Sequence, residues 1–291
     1  MSHPPIWQTT RHAISLAQPV VMGIVNVTPD SFSDGGRHNQ PHAALAHAER
    51  LVKEGAAILD IGAESTRPGA PRVPLDEELR RLDSVLPELL RWQVPISIDT
   101  YKAEVMRHVL DLGVDIVNDI WALRQPGAEA VVTQHDRCGV CLMHMHGEPA
   151  TMQQTPMAGH AVATSLAFLH ERVQALTAQG VAPARITIDP GVGFGKTVAQ
   201  NFATLAHQQA YATLGLPLLA GWSRKSSLGA VLADDSGTPP APDQRVAASV
   251  AAALVAVQRG AAIVRVHDVA ATVQALRVWQ AVQAAADDGG A

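Results

Sequence analysis

Short apolar segments recur along this chain, and a stretch with helical periodicity follows each of them. Eight of these segments are candidate strands: Val20–Val27, Ala57–Ala63, Pro95–Thr100, Asp115–Ile120, Val140–Met145, Ile186–Pro190, Leu216–Trp222 and Ala262–His267. Most are apolar throughout rather than alternating, which is typical of parallel strands covered on both faces. Eight strand–helix units in one uninterrupted chain of 291 residues predict a single-domain (β/α)8 TIM barrel, with an open doubly wound sheet as the alternative.

Glycines mark the ends of several predicted helices. Gly55, Gly113 and Gly260 each stand just before a candidate strand, and glycine in the left-handed conformation commonly ends a helix. The strand positions divide the chain into a lead-in over residues 1–19, the barrel over 20–286 and a tail over 287–291.

Two of the predicted connections are longer than the usual two to six residues. They are Thr28–Gln40 and Glu64–Pro74, and both are rich in Gly, Pro, Ser and Asp. Neither has an apolar face to pack. We therefore expect mobile loops that become ordered over a ligand.

Composition argues against several classes of protein. Charged residues make up 17% of the chain, and Lys plus Arg (22) are fewer than Asp plus Glu (27), so a nucleic-acid partner is not expected. The longest apolar run, Ala247–Val257, is about half the length that a membrane-spanning helix requires. The first residues do not resemble a secretory signal. Together with the presence of only two cysteines, this favours a reduced, cytoplasmic protein.

Polar side chains stand at or near the ends of most candidate strands. They are Asn26, Asp60, Asp99, Asn118, Asp189, Ser223, Arg265 and His267. Any one of them could be no more than a helix cap or an Asx turn. Taken together they predict an active site, because barrel enzymes gather their catalytic residues at the carboxyl ends of the strands.

Four longer segments contain several of these polar strand-end residues: Met22–Gly36, Asp60–Gly69, Asp189–Thr197 and Gly221–Ser226. Shorter segments of the same kind lie at Ser97–Thr100, Asn118–Ile120, Leu142–Met145 and Arg265–Asp268. In sequence and in order, these segments resemble those of the dihydropteroate synthase family. The resemblance implies a transferase of folate biosynthesis that condenses 6-hydroxymethyl-7,8-dihydropterin pyrophosphate with 4-aminobenzoate, which gives 7,8-dihydropteroate and pyrophosphate. It also implies a sulfonamide-binding pocket and a homodimer, for which Ala247–Val257 is a candidate contact, although its composition equally suits a core helix.

A pterin ring presents its 2-amino group and a ring N–H as paired donors beside a carbonyl acceptor. A carboxylate can accept both donors, and Asp189 is the candidate because the following proline and glycines would hold it. Asn118 and Asp99 would complete the edge, and Lys225 would meet the carbonyl oxygen. The remaining expected pterin contacts are Met145 and Gly221.

Departure of pyrophosphate requires positive charge at the opposite end of the site. The expected groups are Asn26, Thr66, Arg67, Arg265 and His267, with Asn26 also a ligand of Mg²⁺, which needs few protein ligands. Arg265 and His267 are two residues apart and should share one face of their strand. An anionic Asp99 would favour dissociative loss of pyrophosphate, which leaves a carbocation-like methylene. The expected catalytic residues are Asp99, Arg67, Lys225, Arg265 and His267.

The aniline nitrogen of 4-aminobenzoate is already a nucleophile, so positioning should matter more than a strong base. Its expected pocket consists of Phe32, Thr66, Pro68, Phe194 and Ser226. Ser226 would begin the next helix, and a helix N-terminus suits the aminobenzoate carboxylate.

Two other interpretations of short motifs are disfavoured. Cys138, Cys141, His144 and His146 could suggest zinc, but Cys141 should point to the strand face opposite His144 and His146. The segment Gly191–Thr197 resembles a phosphate-binding loop, but Pro190 stands where the first glycine of that motif belongs.

Two other functions remain open at this point. A methyltetrahydrofolate-dependent methyltransferase would share the barrel but has no pyrophosphate to bind, so Arg67 and Arg265 would serve no purpose. A non-catalytic dimerising paralogue should have lost charged site residues. The sequence differs from the residues usual in the family at two positions: Tyr101, where serine is commoner, and His146, where glutamine is commoner. We expect any effect of either at the rim of the pterin pocket.

Overall fold

The computed structural model of the chain describes residues 5–28, 36–65, 69–149 and 151–288. A two-stranded antiparallel hairpin and a closed barrel make up its sheets. The hairpin strands are β1 (Ile6–Gln8) and β2 (Ala13–Ser15), and the barrel strands are β3 (Val20–Asn26), β4 (Ile58–Gly62), β5 (Ile96–Asp99), β6 (Ile116–Asp119), β7 (Gly139–Met143), β8 (Ile186–Asp189), β9 (Leu218–Ala220) and β10 (Ala261–Val266). All barrel pairings are parallel and β10 pairs with β3. The predicted (β/α)8 TIM barrel is confirmed, and the open sheet is wrong.

Helices surround the barrel. They are α1 (Gly36–Lys53), α2 (Leu75–Asp83), α3 (Leu86–Leu89), α4 (Ala103–Asp111), α5 (Ala128–Gln134), α6 (Ala161–Ala178), α7 (Val198–Ala206), α8 (Ser226–Val231), α9 (Val246–Gln258) and α10 (Val269–Asp288). Gly55, Gly113 and Gly260 have φ angles of 103°, 97° and 94°, which confirms the predicted glycine terminations.

The first long connection is shorter than the sequence suggested. Helix α1 begins at Gly36, inside the segment Thr28–Gln40 that we expected to be loop. Pro41 lies within this helix, past its first turn, so the helix lacks one backbone hydrogen bond at this position. The expected loop mobility stays a prediction, because residues 29–35 and 66–68 lie outside the described ranges.

The outer faces of the strands pack against the helices in two apolar clusters. Leu59 of β4 and Ile98 of β5 share one cluster with Leu82 of α2. Val140 of β7 shares the other with Leu169 of α6. These strands are buried on both faces, which explains why their sequences are apolar throughout.

The hairpin β1–β2 closes the N-terminal end of the barrel. Trp7 is fully buried, and its Nε1 donates to the carbonyl oxygen of Arg185 at 2.9 Å. Trp7 belongs to a cluster with Met22, Ile116 and other residues of the barrel strands. The segment predicted only as a lead-in therefore plugs the barrel.

The C-terminal part of the chain includes two long helices. In α9, Ala252, Ala253, Ala256 and Val257 are buried, so one face of the Ala-rich run belongs to the core of this chain. Its role in a dimer stays a prediction. Helix α10 continues to Asp288, past the expected boundary at residue 286. Within the described ranges, no helix is long and apolar enough to cross a membrane.

Candidate active site

The register of the barrel places polar residues of neighbouring strands at one level. Asn26, the last residue of β3, pairs with Gly62 of β4. Asp99, the last residue of β5, lies between Gly62 and Asn118 of β6. The strand-end residues predicted to form a site therefore meet at the C-terminal mouth of the barrel.

A cavity of about 310 Å³ opens at this mouth. Several predicted site residues line it: Asn26, Asp99, Phe194, Gly221, Lys225, Ser226, Arg265 and His267. Ser223, Arg224 and Arg245 also line it, together with Glu64, Ser65 and Met152. Its wall thus combines acidic, cationic and apolar side chains, as expected for a site that binds a flat polar ring and an anion.

Arg265 joins two carboxylates at the floor of this region. Its Nε donates to Asp60 Oδ2 at 2.5 Å, and its Nη2 donates to Asp99 Oδ2 at 2.7 Å. Asn118 Nδ2 donates to the same Asp60 oxygen at 3.2 Å. Asp60 opens one of the matching sequence segments, yet the sequence analysis did not assign it a role. Arg265 was expected to face pyrophosphate, and in the structure its partners lie on β4 and β5.

Each of these two carboxylates has one oxygen that is not used by the protein. Among the described residues, Asp60 Oδ1 and Asp99 Oδ1 are buried and have no hydrogen-bond partner. Burial raises the pKa of Asp99 to about 7 despite the attraction of Arg265. An unpartnered buried carboxylate oxygen is costly, so this floor is suited to accept hydrogen bonds from a ligand.

Asp189 is held in place by the turn that follows it. The backbone N–H of Gly191 donates to Asp189 Oδ1 at 2.7 Å. Gly191 has a φ of 72°, and a Cβ added there would lie 1.8 Å from the carbonyl oxygen of His144, so only glycine fits. A Cβ added to Gly221 would lie 3.9 Å from Asp189 Oδ2, so glycine leaves space beside that oxygen. Burial raises the pKa of Asp189.

Lys225 and Phe194 form one wall of the cavity. Lys225 Nζ lies 4.3 Å from the centroid of the Phe194 ring, which is within cation–π distance. Ser226 begins helix α8 directly after Lys225, so the predicted helix start is confirmed.

Ser223 and His267 form a pair on the side expected to bind pyrophosphate. Ser223 Oγ lies 3.0 Å from His267 Nδ1 and also accepts the backbone N–H of His267 at 3.1 Å. The first contact orients the imidazole, and the second holds the backbone that carries it. Arg265 and His267 both line the cavity, as their two-residue spacing predicted. The partners of Arg265 lie on β4 and β5, whereas Ser223 lies in the turn that follows β9.

The sequence matches proteins of known function over almost its whole length. A family described as "Pterin binding enzyme" matches residues 22–267. The dihydropteroate synthase of Neisseria meningitidis serogroup B is 49% identical over 95% of this chain and 97% of that protein. The chain belongs to the dihydropteroate synthase family.

Solved structures of family members agree with this assignment. The Burkholderia cenocepacia dihydropteroate synthase complexed with 7,8-dihydropteroate is 51% identical, with a TM-score of 0.87 and coverage of 98% of this chain and 99% of that one. The Xanthomonas albilineans dihydropteroate synthase with 4-aminobenzoic acid is 50% identical, with a TM-score of 0.88 and coverage of 96% and 99%.

Three of the predicted pterin contacts are not among the described residues that line the cavity: Asn118, Asp189 and Met145. Met145 is buried in a cluster with Met143, Met152 and Phe194, and within the described residues it is absent from the cavity lining. Met145 follows the end of β7 at Met143, and its cluster partners Phe194 and Met152 line the cavity.

Several residues predicted from the dihydropteroate synthase resemblance lie outside the described ranges. They are Phe32, Thr66, Arg67 and Pro68. The neighbouring Glu64 is held by Tyr101, whose hydroxyl donates to Glu64 Oε1 at 2.9 Å, and by Lys102, whose Nζ lies 2.6 Å from Oε2. Tyr101, one of the two departures from the residues usual in the family, therefore supports the cavity rim through Glu64.

Lys196 is a buried site-supporting residue that the sequence analysis did not identify. Its Nζ lies 2.9 Å from the Gly191 carbonyl oxygen and 2.9 Å from His144 Nδ1. Burial lowers the pKa of Lys196 to about 7 and that of His144 to about 3. The Gly-Lys-Thr sequence that resembled a phosphate-binding loop thus closes the turn after Asp189, and Thr197 then caps α7. The presence of a lysine inside a glycine-rich turn was the available signal.

The residues that suggested zinc have separate partners in the structure. Cys141 lies in the interior cluster with Trp7, and Cys138 Sγ lies 3.2 Å from Arg185 Nη2. His144 contacts Lys196 instead. Across the part of the chain that the structure describes, no group of three or more His, Cys, Asp or Glu side chains is placed to hold a metal ion.

Proposed function

We propose that this chain catalyses the condensation of 6-hydroxymethyl-7,8-dihydropterin pyrophosphate with 4-aminobenzoate, which forms 7,8-dihydropteroate and pyrophosphate. The observation that carries the proposal is the group of buried carboxylates at the barrel mouth. Asp189 is fixed by Gly191, and Asp60 and Asp99 each keep an oxygen without a protein partner. The family membership and the solved complexes of its members support the same reaction.

The pterin would bind edge-on to the carboxylates. Asp189 would accept the 2-amino group and the ring N–H, because its Oδ2 faces the space left by Gly221. Lys225 would donate to the ring carbonyl oxygen. An analogue without the amino group would leave the carboxylate unpaired, which costs about 1–3 kcal/mol.

The pyrophosphate would bind on the side of Ser223 and His267. Thr66 and Arg67 would approach from the second long loop. Asn26 would complete the site and contribute an amide oxygen to Mg²⁺, and this fits the chemistry of a hard ion that keeps phosphate oxygens and waters as its other ligands. When bound, Mg²⁺ would neutralise negative charge on the departing pyrophosphate.

The reaction breaks the bond between the pterin methylene carbon and the pyrophosphate oxygen, whose electron pair leaves with pyrophosphate. The lone pair of the aniline nitrogen then forms the new carbon–nitrogen bond, and that nitrogen loses a proton to solvent or to the leaving group. Ionised Asp99 would stabilise positive charge on the methylene if departure comes first. Its partner Arg265 favours the ionised form.

The aminobenzoate would lie between the loops and the barrel. Phe194 and Ser226 line the cavity, and Phe32, Thr66 and Pro68 would complete this pocket from the two long loops. Sulfonamides would compete for the same pocket. The proposal also includes a homodimer and a location in the cytoplasm.

A product assay on the purified full chain tests the function. The chain would be incubated with dihydropterin pyrophosphate and Mg²⁺, with and without 4-aminobenzoate, and both dihydropteroate and pyrophosphate would be quantified. We expect dihydropteroate to form only with 4-aminobenzoate and in amounts that pyrophosphate matches or exceeds. The absence of any aminobenzoate-dependent product would overturn the proposal.

Two controls separate the alternatives. Chelation followed by Mg²⁺ addition should abolish and restore the reaction, which tests the ion. Methyl transfer from 5-methyltetrahydrofolate to a cobalamin acceptor should be absent, whereas its presence would favour the methyltransferase. A chain that binds both substrates without product would be the non-catalytic paralogue.

A further inference from the structure

The turn that carries Ser223 and Lys225 has a residue in an unfavourable backbone conformation at its centre. Arg224 has a φ of 59°, in the left-handed region that residues with a Cβ rarely adopt. Its two neighbours both line the cavity. Such conformations persist where surrounding contacts enforce them, and they concentrate at functional sites.

The side chain of Arg224 is held by a two-point ion pair. Its Nε donates to Asp268 Oδ2 at 3.0 Å, and its Nη2 donates to Asp268 Oδ1 at 2.6 Å. This fork-to-carboxylate geometry fixes both distance and orientation, which a lysine could not do.

The backbone of Arg224 is held separately. Its N–H donates to Ser249 Oγ at 2.9 Å, and Ser249 Oγ in turn donates to the Arg245 carbonyl oxygen at 2.7 Å. The carbonyl oxygen of Arg224 accepts Arg245 Nη1 at 3.1 Å. Both peptide groups of the strained residue are therefore anchored to α9 and to the turn that precedes it.

Arg245 is itself locked against α8. Its Nε and Nη2 donate to the Pro240 carbonyl oxygen at 2.9 and 2.6 Å. A Cβ added to Gly229 would lie 2.7 Å from Arg245 Cζ, so the guanidinium packs directly on the helix where glycine leaves room. Arg245 therefore contacts both the strained turn at Arg224 and the helix α8 that begins at Ser226.

The ion pair also links the two segments that carry Ser223 and His267, on the side of the cavity expected to bind pyrophosphate. Asp268 directly follows His267, and Ser223 directly precedes Arg224. The Ser223–His267 contact and the Arg224–Asp268 contact therefore join consecutive residues of the same two segments. We therefore expect a change in the second contact to displace the first.

We propose that Arg224 is a positioning residue, clamped by Asp268, Ser249 and Arg245, that aims Ser223 and Lys225 into the cavity and keeps Ser223 against His267. The inference rests on the proposed function, since its readout is that reaction. Arg224 also lines the cavity, but its guanidinium is paired with Asp268, so the proposal assigns its effect to the placement of its neighbours.

Variants at both ends of the ion pair test the proposal. In Arg224→Ala we expect kcat/KM for dihydropterin pyrophosphate to fall about 10- to 100-fold, the usual effect of a small displacement of reacting groups, with most of the change in KM. Arg224→Lys should be intermediate because it keeps the charge but loses the fork. Asp268→Asn should show the same split between KM and kcat, and the double variant should be no worse than the worse single variant.

Arg11→Ala is the matched control. Arg11 is also paired with an aspartate, at the opposite end of the barrel: its Nε and Nη2 both donate to Asp115 Oδ2. The side-chain exposures of Arg11 and Arg224 are 27% and 29%. We expect this variant to lose thermal stability while its kinetic constants, measured per folded molecule, stay at the wild-type level.

The outcomes are distinguishable. If the wild-type chain forms no dihydropteroate, the proposed function fails. If the wild type is active and the Arg224 and Asp268 variants melt earlier but keep wild-type kinetic constants, the pair is only structural and the inference is wrong. If Arg224→Ala does not fold, the same comparison is made with Arg224→Lys and Asp268→Asn, and unchanged KM values there contradict the inference.

Discussion

Buried carboxylates at the two ends of the barrel differ in how many of their oxygens have a hydrogen-bond partner in the protein. At the N-terminal end, Asp115 is fully buried, and its oxygens accept the backbone N–H groups of Arg11 at 2.8 Å and Ile96 at 2.9 Å, together with the Arg11 guanidinium. At the C-terminal end, Asp60 is equally buried, but within the described residues its Oδ1 and that of Asp99 have no partner.

The difference separates stability from function within one fold. Carboxylates with a full set of protein partners anchor the hairpin that plugs the barrel. Carboxylates with incomplete partners leave the hydrogen-bonding capacity for a substrate, at a cost to the folded state. Barrel enzymes concentrate function at the C-terminal face and stability at the other, and here the contrast can be followed to single oxygen atoms.

The largest expected effect is on activity and follows from Asp189→Asn. The amide would offer the pterin only one acceptor, so we expect kcat/KM to fall about 100-fold or more. Burial raises the pKa of Asp189, so removal of the charge should not lower the melting temperature. Steady-state kinetics and thermal melting of the same preparation check both statements. A variant with normal kcat/KM would show that another group reads the pterin edge.

The corresponding change at the closed end is Trp7→Ala. Loss of this buried ring should cost about 3–5 kcal/mol, which lowers the melting temperature by about 10 °C, with kcat unchanged at a temperature where the variant is folded. Trp7→Phe is the matched control, because it keeps a ring but loses the donor to Arg185, worth about 1 kcal/mol. Reduced activity of the folded Trp7→Ala protein would contradict the separation of the two ends.

A smaller effect, with a defined pH dependence, is expected for Asp99→Asn. The pKa of Asp99 is raised from 3.8 to about 7 in the folded chain, so the folded state binds more protons than the unfolded state between these values. Stability therefore falls as pH rises through this window. The variant should melt about 3 °C or more above wild type at pH 8, and this difference should shrink toward pH 4.

The same variant also tests whether ionised Asp99 stabilises positive charge on the pterin methylene. Release of pyrophosphate without 4-aminobenzoate should be slower in Asp99→Asn at pH 8, because the anionic stabilisation of the methylene is lost. Full release at the wild-type rate would remove Asp99 from that role. A stability difference that is the same at pH 5 and pH 8 would show that burial does not perturb its ionisation.

The smallest effect is expected at the rim. In Tyr101→Ser the hydroxyl that donates to Glu64 is lost, but Lys102 still holds the other carboxylate oxygen. We expect KM values to change by about threefold or less. Tyr101→Phe removes only the hydroxyl and should give the same result. A tenfold change in either variant would place Tyr101 among the residues that contact substrate.

The fold could be predicted from the sequence because its physical signal is repeated. Each barrel strand is buried on both faces and therefore reads as an apolar run, and glycines such as Gly55 end the preceding helices. The hairpin β1–β2 escaped prediction because its strands have only three residues each. Its burial depends on partners such as Arg185, which is distant in the chain.

The site could be predicted in part. Strand-end position brought Asn26, Asp99, Arg265 and His267 to one cavity, since parallel register aligns strand ends. The role of Met145 in pterin binding stays a prediction, since the structure places its side chain in the cluster with Phe194 and Met152.

The partners of the site residues could not be predicted. The contact of Arg265 with Asp60 depends on how β10 and β4 are placed in the folded barrel. The contact of Lys196 with His144 depends on a turn that contains several glycines, and residue propensities do not predict the shape of such a turn, because glycine adopts many backbone conformations. Nothing in the sequence indicated the left-handed backbone conformation of Arg224, because arginine does not favour that conformation.

One measurement tests the division between the two ends most directly: the rate of dihydropteroate formation per folded molecule in Asp189→Asn and Trp7→Ala, determined side by side at one temperature below both melting transitions. The expected result is a stable Asp189→Asn protein whose kcat/KM is lower by about 100-fold or more, and an active, less stable Trp7→Ala protein. Equal activity in the two variants, or activity lost only in Trp7→Ala, would contradict the account.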